Sequence, residues 1–134
     1  MKIAIAAALS LAAASALAAS APVPLGPPPP AGTVLSGDQC ILDRDLGNHT
    51  VIDKNTLLLD ARGRSKGLYR LTMGNGCLQS SISSDPLNIR YVGGDKICAP
   101  KDLVLTARSG LCNVVSIVKL TPEEAAALPR KLKP

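Results

Sequence analysis

Phenylalanine and tryptophan are absent from this chain, and tyrosine occurs only at Tyr69 and Tyr91. A core must therefore be built from aliphatic side chains, and an aromatic platform for stacking nucleic-acid bases is excluded. Histidine occurs once, as His49. Any Ser-His-Asp or Cys-His arrangement would depend on it, and no serine stands in a Gly-x-Ser-x-Gly elbow. The four cysteines, Cys40, Cys77, Cys98 and Cys112, include no Cys-x-x-Cys pair and no close Cys-His pair. That spacing argues against a zinc knuckle and against a redox dithiol, so no metal ligand and no cofactor-binding residue is assigned.

No apolar run is long enough to span a bilayer. The longest, Ile3 to Leu17, follows Met1 and Lys2 and is too short and too alanine-rich for an anchor. It reads as a secretory signal, with Ala16 and Ala18 in the Ala-x-Ala positions, so residues 1–18 are expected to be removed and the mature chain to start at Ala19. No transmembrane segment is expected in the mature chain, and the location expected is the periplasm or the outside of the cell. In that oxidising compartment four cysteines are read as two disulfides.

Residues 19–35 carry Pro22, Pro24 and Pro27 to Pro30 and are expected to form an extended, polyproline-like spacer. Residues 36–128 form the expected domain, short enough that covalent staples add usefully to a small core. Of three possible connectivities, Cys40 with Cys112 and Cys77 with Cys98 is favoured because the first bridge would close the domain end to end.

Between the cysteines the hydrophobic period is two. Tyr69, Leu71 and Met73 alternate with Arg70 and Thr72, and Leu87, Ile89 and Tyr91 alternate with Asn88 and Arg90. Leu57 to Leu59, Leu103 to Leu105 and Val114 to Val118 are nearly continuous apolar runs, suited to strands covered on both faces or curved into a barrel. Turns at Arg62 to Gly67, Gly93-Gly94-Asp95 and Arg108-Ser109-Gly110 link successive strands, Asp85-Pro86 starts the third, and Gly74-Asn75-Gly76 lets the chain bend before Cys77. The fold class expected is mainly β: a small antiparallel meander or partly closed barrel of about five strands, stapled by disulfides. A short C-terminal helix follows, with Thr121 as N-cap, Pro122 at the first position and Glu124 completing a capping box. Pro129 ends it, Ala126 and Leu128 are expected to lean on the sheet, and Arg130, Lys131 and Lys133 form a basic, disordered tail over residues 129–134.

Asp43, Asp45, Asp53 and Asp60 lie close together in sequence, but Arg44 and Lys54 alternate with them as ordinary solvated pairs do. No catalytic residue is assigned from them. The formal net charge is +5, including Lys2 of the leader. Arg62, Arg64, Lys66 and Arg70 gather around one hairpin and are the candidate contact for an anionic partner.

From Cys40 to Leu128 the chain resembles a family of small exported bacterial proteins known only as domain of unknown function 6491. The resemblance is carried by Cys40-Ile41, Arg44-Asp45-Leu46, Asp53, Leu57 to Leu59, Tyr69-Arg70 and Gly76-Cys77-Leu78. It continues through Ile97-Cys98, Asp102, Cys112, Ile117 and the closing Leu120-Thr121-Pro122-Glu123-Glu124. This sequence departs from the family in having Asn48-His49-Thr50 where an aromatic is expected between Asp45 and Asp53. The resemblance implies an exported β domain and brings no catalytic residue or cofactor with it.

The expected function is non-enzymatic: a binding or structural module of the cell envelope, meeting an envelope protein or an anionic envelope surface. The alternative is an inhibitor or accessory subunit of an extracellular or periplasmic enzyme, acting through the loop from Gly74 to Ser84. Nucleic acid is not an expected partner, because no aromatic platform accompanies the basic residues and export separates the two.

Overall fold

A computed structural model describes residues 25–79, 81 and 86–134. The leader, its cleavage site, Pro22 and Pro24 lie outside the described residues, as do Ser80 and Ile82 to Asp85.

Among the described residues, nine strands and one α-helix follow in order: β1 (Ile41–Leu42), β2 (Leu46–Asp53), β3 (Thr56–Ala61), β4 (Gly67–Met73), β5 (Asn88–Tyr91), β6 (Lys96–Ile97), β7 (Leu103–Ala107), β8 (Gly110–Cys112), β9 (Val114–Lys119) and α1 (Pro122–Ala127). They form three antiparallel sheets, ordered β2-β3-β4-β9, β5-β7-β8 and β1-β6. The fold is mainly β with a short C-terminal helix and two disulfides, as the sequence implies, but no barrel closes.

The continuous apolar runs have a different cause. Alternate residues of β3 and β4 point to opposite faces, and both faces are covered. Leu57, Leu59, Tyr69, Leu71 and Met73 enter the main core with Leu105 and Ile117, while Leu58 joins a second cluster with Leu120, Leu128, Leu25 and Leu68. Each fully buried leucine contributes about 2 kcal/mol of transfer free energy, so the second layer matters to a domain this small. Tyr69 is fully buried, whereas Tyr91 is 46% exposed at the end of β5 and does not follow the expected inward alternation.

The expected disulfide pairing is overturned: the bridges are Cys40–Cys98 and Cys77–Cys112. Register explains the first, because Ile41 pairs with Ile97 and one further antiparallel step sets Cys40 opposite Cys98. Asn75 explains the second. Its Nδ2 donates to the Leu111 carbonyl at 3.0 Å and its Oδ1 accepts from Asn113 N at 3.1 Å, clasping the chain on both sides of Cys112. Gly74 N donates to the Asn113 carbonyl at 2.8 Å, which brings Cys77 into reach. That clasp also divides β8 from β9, so Val114–Lys119 crosses to pair with β4 instead of with β7.

The helix N-terminus is as expected: Glu124 N donates to Thr121 Oγ1 at 3.2 Å and Thr121 N donates to Glu124 Oε2 at 3.0 Å. Leu128 is buried and Ala126 is exposed, so only Leu128 leans on the sheet. The basic tail is ordered as a single turn, Arg130–Leu132, against β2.

Candidate ligand cleft beneath an N-terminal strap

The basic hairpin is divided by the fold. Arg62, Arg64 and Lys66 are exposed around the β3–β4 turn, but Arg70 is only 6% exposed and points away from that tip into the second cluster's face. Arg70 therefore does not belong to the surface patch expected of it.

Of the four carboxylates considered for acid-base chemistry, Asp45 and Asp53 each hold a turn. Asp45 Oδ2 accepts from Ser65 N at 3.0 Å and its carbonyl accepts from Arg62 N at 2.7 Å, shaping the β3–β4 turn. Ser65 then accepts from Leu42 N through Oγ at 2.8 Å and from the Tyr69 hydroxyl through its carbonyl at 2.8 Å. Hydrogen bonding from Ser65 holds the Asp45 pKa below the ordinary carboxylate value, against an opposing push from desolvation. Asp43 Oδ1 accepts from Arg44 N at 2.6 Å, and Asp53 Oδ1 accepts from Asn55 N at 2.8 Å in the β2–β3 turn. Asp60 faces Arg62 Nε at 3.7 Å.

Arg70 is held by the segment expected to be a free spacer. Its Nη1 donates to the carbonyls of Leu25 at 2.8 Å, Gly26 at 3.3 Å and Pro27 at 3.2 Å. Pro27 to Pro30 have no backbone N–H, so the stretch is richer in acceptors than in donors, which suits a guanidinium that has only donors to offer. Further along, Gly32 N donates to the Val115 carbonyl at 2.7 Å, Ile117 N to the Thr33 carbonyl at 3.1 Å and Leu35 N to the Cys98 carbonyl at 2.8 Å. Leu35 is buried in the main core. Residues 25–35 are thus a strap bound along β9 and across β4, and the packed domain begins well before Ser36.

Between the strap and the β2–β3 turn lies a cleft of about 530 Å³. Leu25, Gly26 and Pro28 form one wall, Ile52 to Thr56 the other, and Arg70, Thr72 and Met73 of β4 the floor. Thr72 is 7% exposed and stands in register with Thr56 on one side and Ser116 on the other, giving a rung of hydroxyls across three strands. Arg70 Nε, Thr72 Oγ1 and Ser116 Oγ are buried without a hydrogen-bond partner among the described residues. Each such group costs about 1–3 kcal/mol if left unsatisfied, and two of the three residues, Arg70 and Thr72, line the cleft. Burial pulls the Arg70 pKa below the ordinary arginine value, while the charges of Asp53 and Glu124 oppose that shift. No carboxylate forms an ion pair with it among the described residues.

His49 stands on β2, where Gly47 to Thr50 meet Lys131, Lys133 and Pro134 in a second, shallower depression. Among the described residues, no three His, Cys, Asp or Glu side chains are grouped so as to hold a metal ion. No helix among them is long and apolar enough to cross a membrane. No family model, no curated protein and no solved structure matches the chain.

Sequence reasoning placed Arg70 on the hairpin surface because its position in an alternating strand reads as the solvent side. The missed signal was the strap: four consecutive prolines upstream of a sheet with a lone arginine on its outer face.

Proposed function

We propose that this protein is a non-enzymatic binding module of the cell envelope, exported and disulfide-stapled, that takes its ligand in the cleft between the N-terminal strap and the outer face of the four-stranded sheet. The observation that carries the reading is Arg70, buried at the cleft floor with its Nε lacking a hydrogen-bond partner and with no ion pair among the described residues. Two disulfides suit an oxidising compartment, and Cys77–Cys112 ties the chain just after β4, the strand that floors the cleft, to β8. The resemblance to the exported family of domain of unknown function 6491 supports the same location. Exposed Arg62, Arg64 and Lys66 offer a second surface, suited to an anionic envelope component.

The reading as an inhibitor has less behind it. The described part of the loop after Gly74 is tied down by Cys77, by buried Leu78 and by Ser109 Oγ, which donates to the Cys77 carbonyl, so it does not project toward a partner.

Native mass spectrometry of the protein purified gently from its own host's envelope tests the proposal. A retained small-molecule adduct, released on denaturation, is the expected result. A bare chain mass, together with turnover of any substrate offered, contradicts it.

A further inference from the structure

We infer that the cleft recognises a single carboxylate carried on an apolar body. This rests on the cleft being the binding site and deepens that reading by naming the ligand's chemistry.

Three observations converge on it. Among the described residues, all three hydrogen bonds of Arg70 leave from Nη1 toward the strap, and buried Nε has no partner. The Nε edge of a guanidinium is one of the faces that matches a carboxylate in a bidentate pair, and such charge-assisted pairs are the strong ones. Thr72 lies two residues further along the same face of β4, about 7 Å away along the strand, with a buried hydroxyl also lacking a partner. It is placed to donate to a bound acceptor group.

The remainder of the lining sets the body and the charge of the ligand. Leu25, Pro28 and Ile52 offer apolar contact around the two polar groups. Asp53 and Lys54 stand together on the wall. Their opposite charges offset each other, which leaves the single positive charge of Arg70 to match a monoanion. A volume of about 530 Å³ lies within the usual range for small-molecule sites.

The test is an NMR titration of the full mature chain, following the Arg70 Nε–H signal and the Thr72 amide. The probes are octanoate, acetyl-Leu-Leu with a free carboxylate, and octanol. Saturable shifts of both signals with octanoate identify an aliphatic acid as the source of the carboxylate, and with acetyl-Leu-Leu a peptide terminus. Either supports the inference if octanol binds at least tenfold more weakly. Thr72→Val is expected to weaken carboxylate binding about tenfold while leaving the amide spectrum elsewhere unchanged, a readout independent of whether Arg70 variants keep the strap in place. Failure of both acids to saturate by about 10 mM, or octanol binding as well as octanoate, overturns it. If both acids fail but the host-purified protein still carries an adduct, the carboxylate is wrong and the binding module stands.

Discussion

Arg70 Nη1 reaches the carbonyl of Leu25 at 2.8 Å across a separation of 45 residues. That bond, with its companions to Gly26 and Pro27, makes a proline-rich segment part of the domain and gives the cleft its second wall.

Removing the guanidinium should therefore act at a distance. Arg70→Ala is expected to lower stability by about 2–3 kcal/mol, the worth of hydrogen bonds to a charged group together with lost packing. It should also expose the chain near Leu25 to proteolysis. Urea unfolding and limited digestion followed by mass analysis read the two effects. Unchanged digestion would show that the strap does not depend on Arg70.

Gly63 and Gly93 make a matched pair. Both have positive φ, +60° and +90°, but a Cβ at Gly63 would stand 2.5 Å from Asp45 Oδ1 while one at Gly93 meets nothing within 4 Å. Gly93→Ala should cost about 1 kcal/mol, from backbone conformation alone. Gly63→Ala should cost at least about 1 kcal/mol more, because Asp45 must release Ser65. Equal losses in urea unfolding would contradict the turn geometry.

The Asp45 carboxylate also gives the domain a pH signature. Its folded pKa lies below the ordinary value because Ser65 hydrogen-bonds the charged form. The unfolded chain then binds the proton more readily, so this contribution is present above about pH 4 and is lost as pH falls through the folded pKa. Stability measured from pH 5 downward should fall less steeply in Asp45→Asn than in the parent chain. Parallel curves would remove Asp45 from the account.

Each disulfide spans a loop long enough to matter, with separations of 58 and 35 residues. On the chain-entropy view each contributes about 4 kcal/mol. Non-reducing peptide mapping should link the Cys40 peptide to that of Cys98 and the Cys77 peptide to that of Cys112. The paired variant Cys77→Ser with Cys112→Ser should keep the Cys40–Cys98 link, whereas a Cys40–Cys112 link in the parent chain would contradict the sheet order.

Much of the architecture was legible because it is local. The β3–β4 hairpin, the alternation of Tyr69, Leu71 and Met73, and the capping box of Thr121 and Glu124 follow from residues close in sequence. What was not legible depends on long-range partners. The β2 strand was hidden because Leu46–Asp53 is rich in polar residues, and its turn at Lys54-Asn55 lacks a glycine. The disulfide pairing followed from the clasp of Asn75 on either side of Cys112, which no local pattern announces. The cleft was missed for the same reason, since Arg70 reads as an exposed strand residue until the strap from Leu25 is laid over it.

The most direct test of the account is amide hydrogen exchange of the mature chain, read at Gly32, Leu35 and Ile117. All three amides are hydrogen-bonded in the strap or to it. The account predicts exchange slowed at least about a hundredfold relative to an unstructured chain, and slowed further when a cleft ligand is added. Exchange of Gly32 and Leu35 at unstructured rates would mean that the proline segment is a free tether, that the cleft lacks a wall, and that Arg70 has no site to serve.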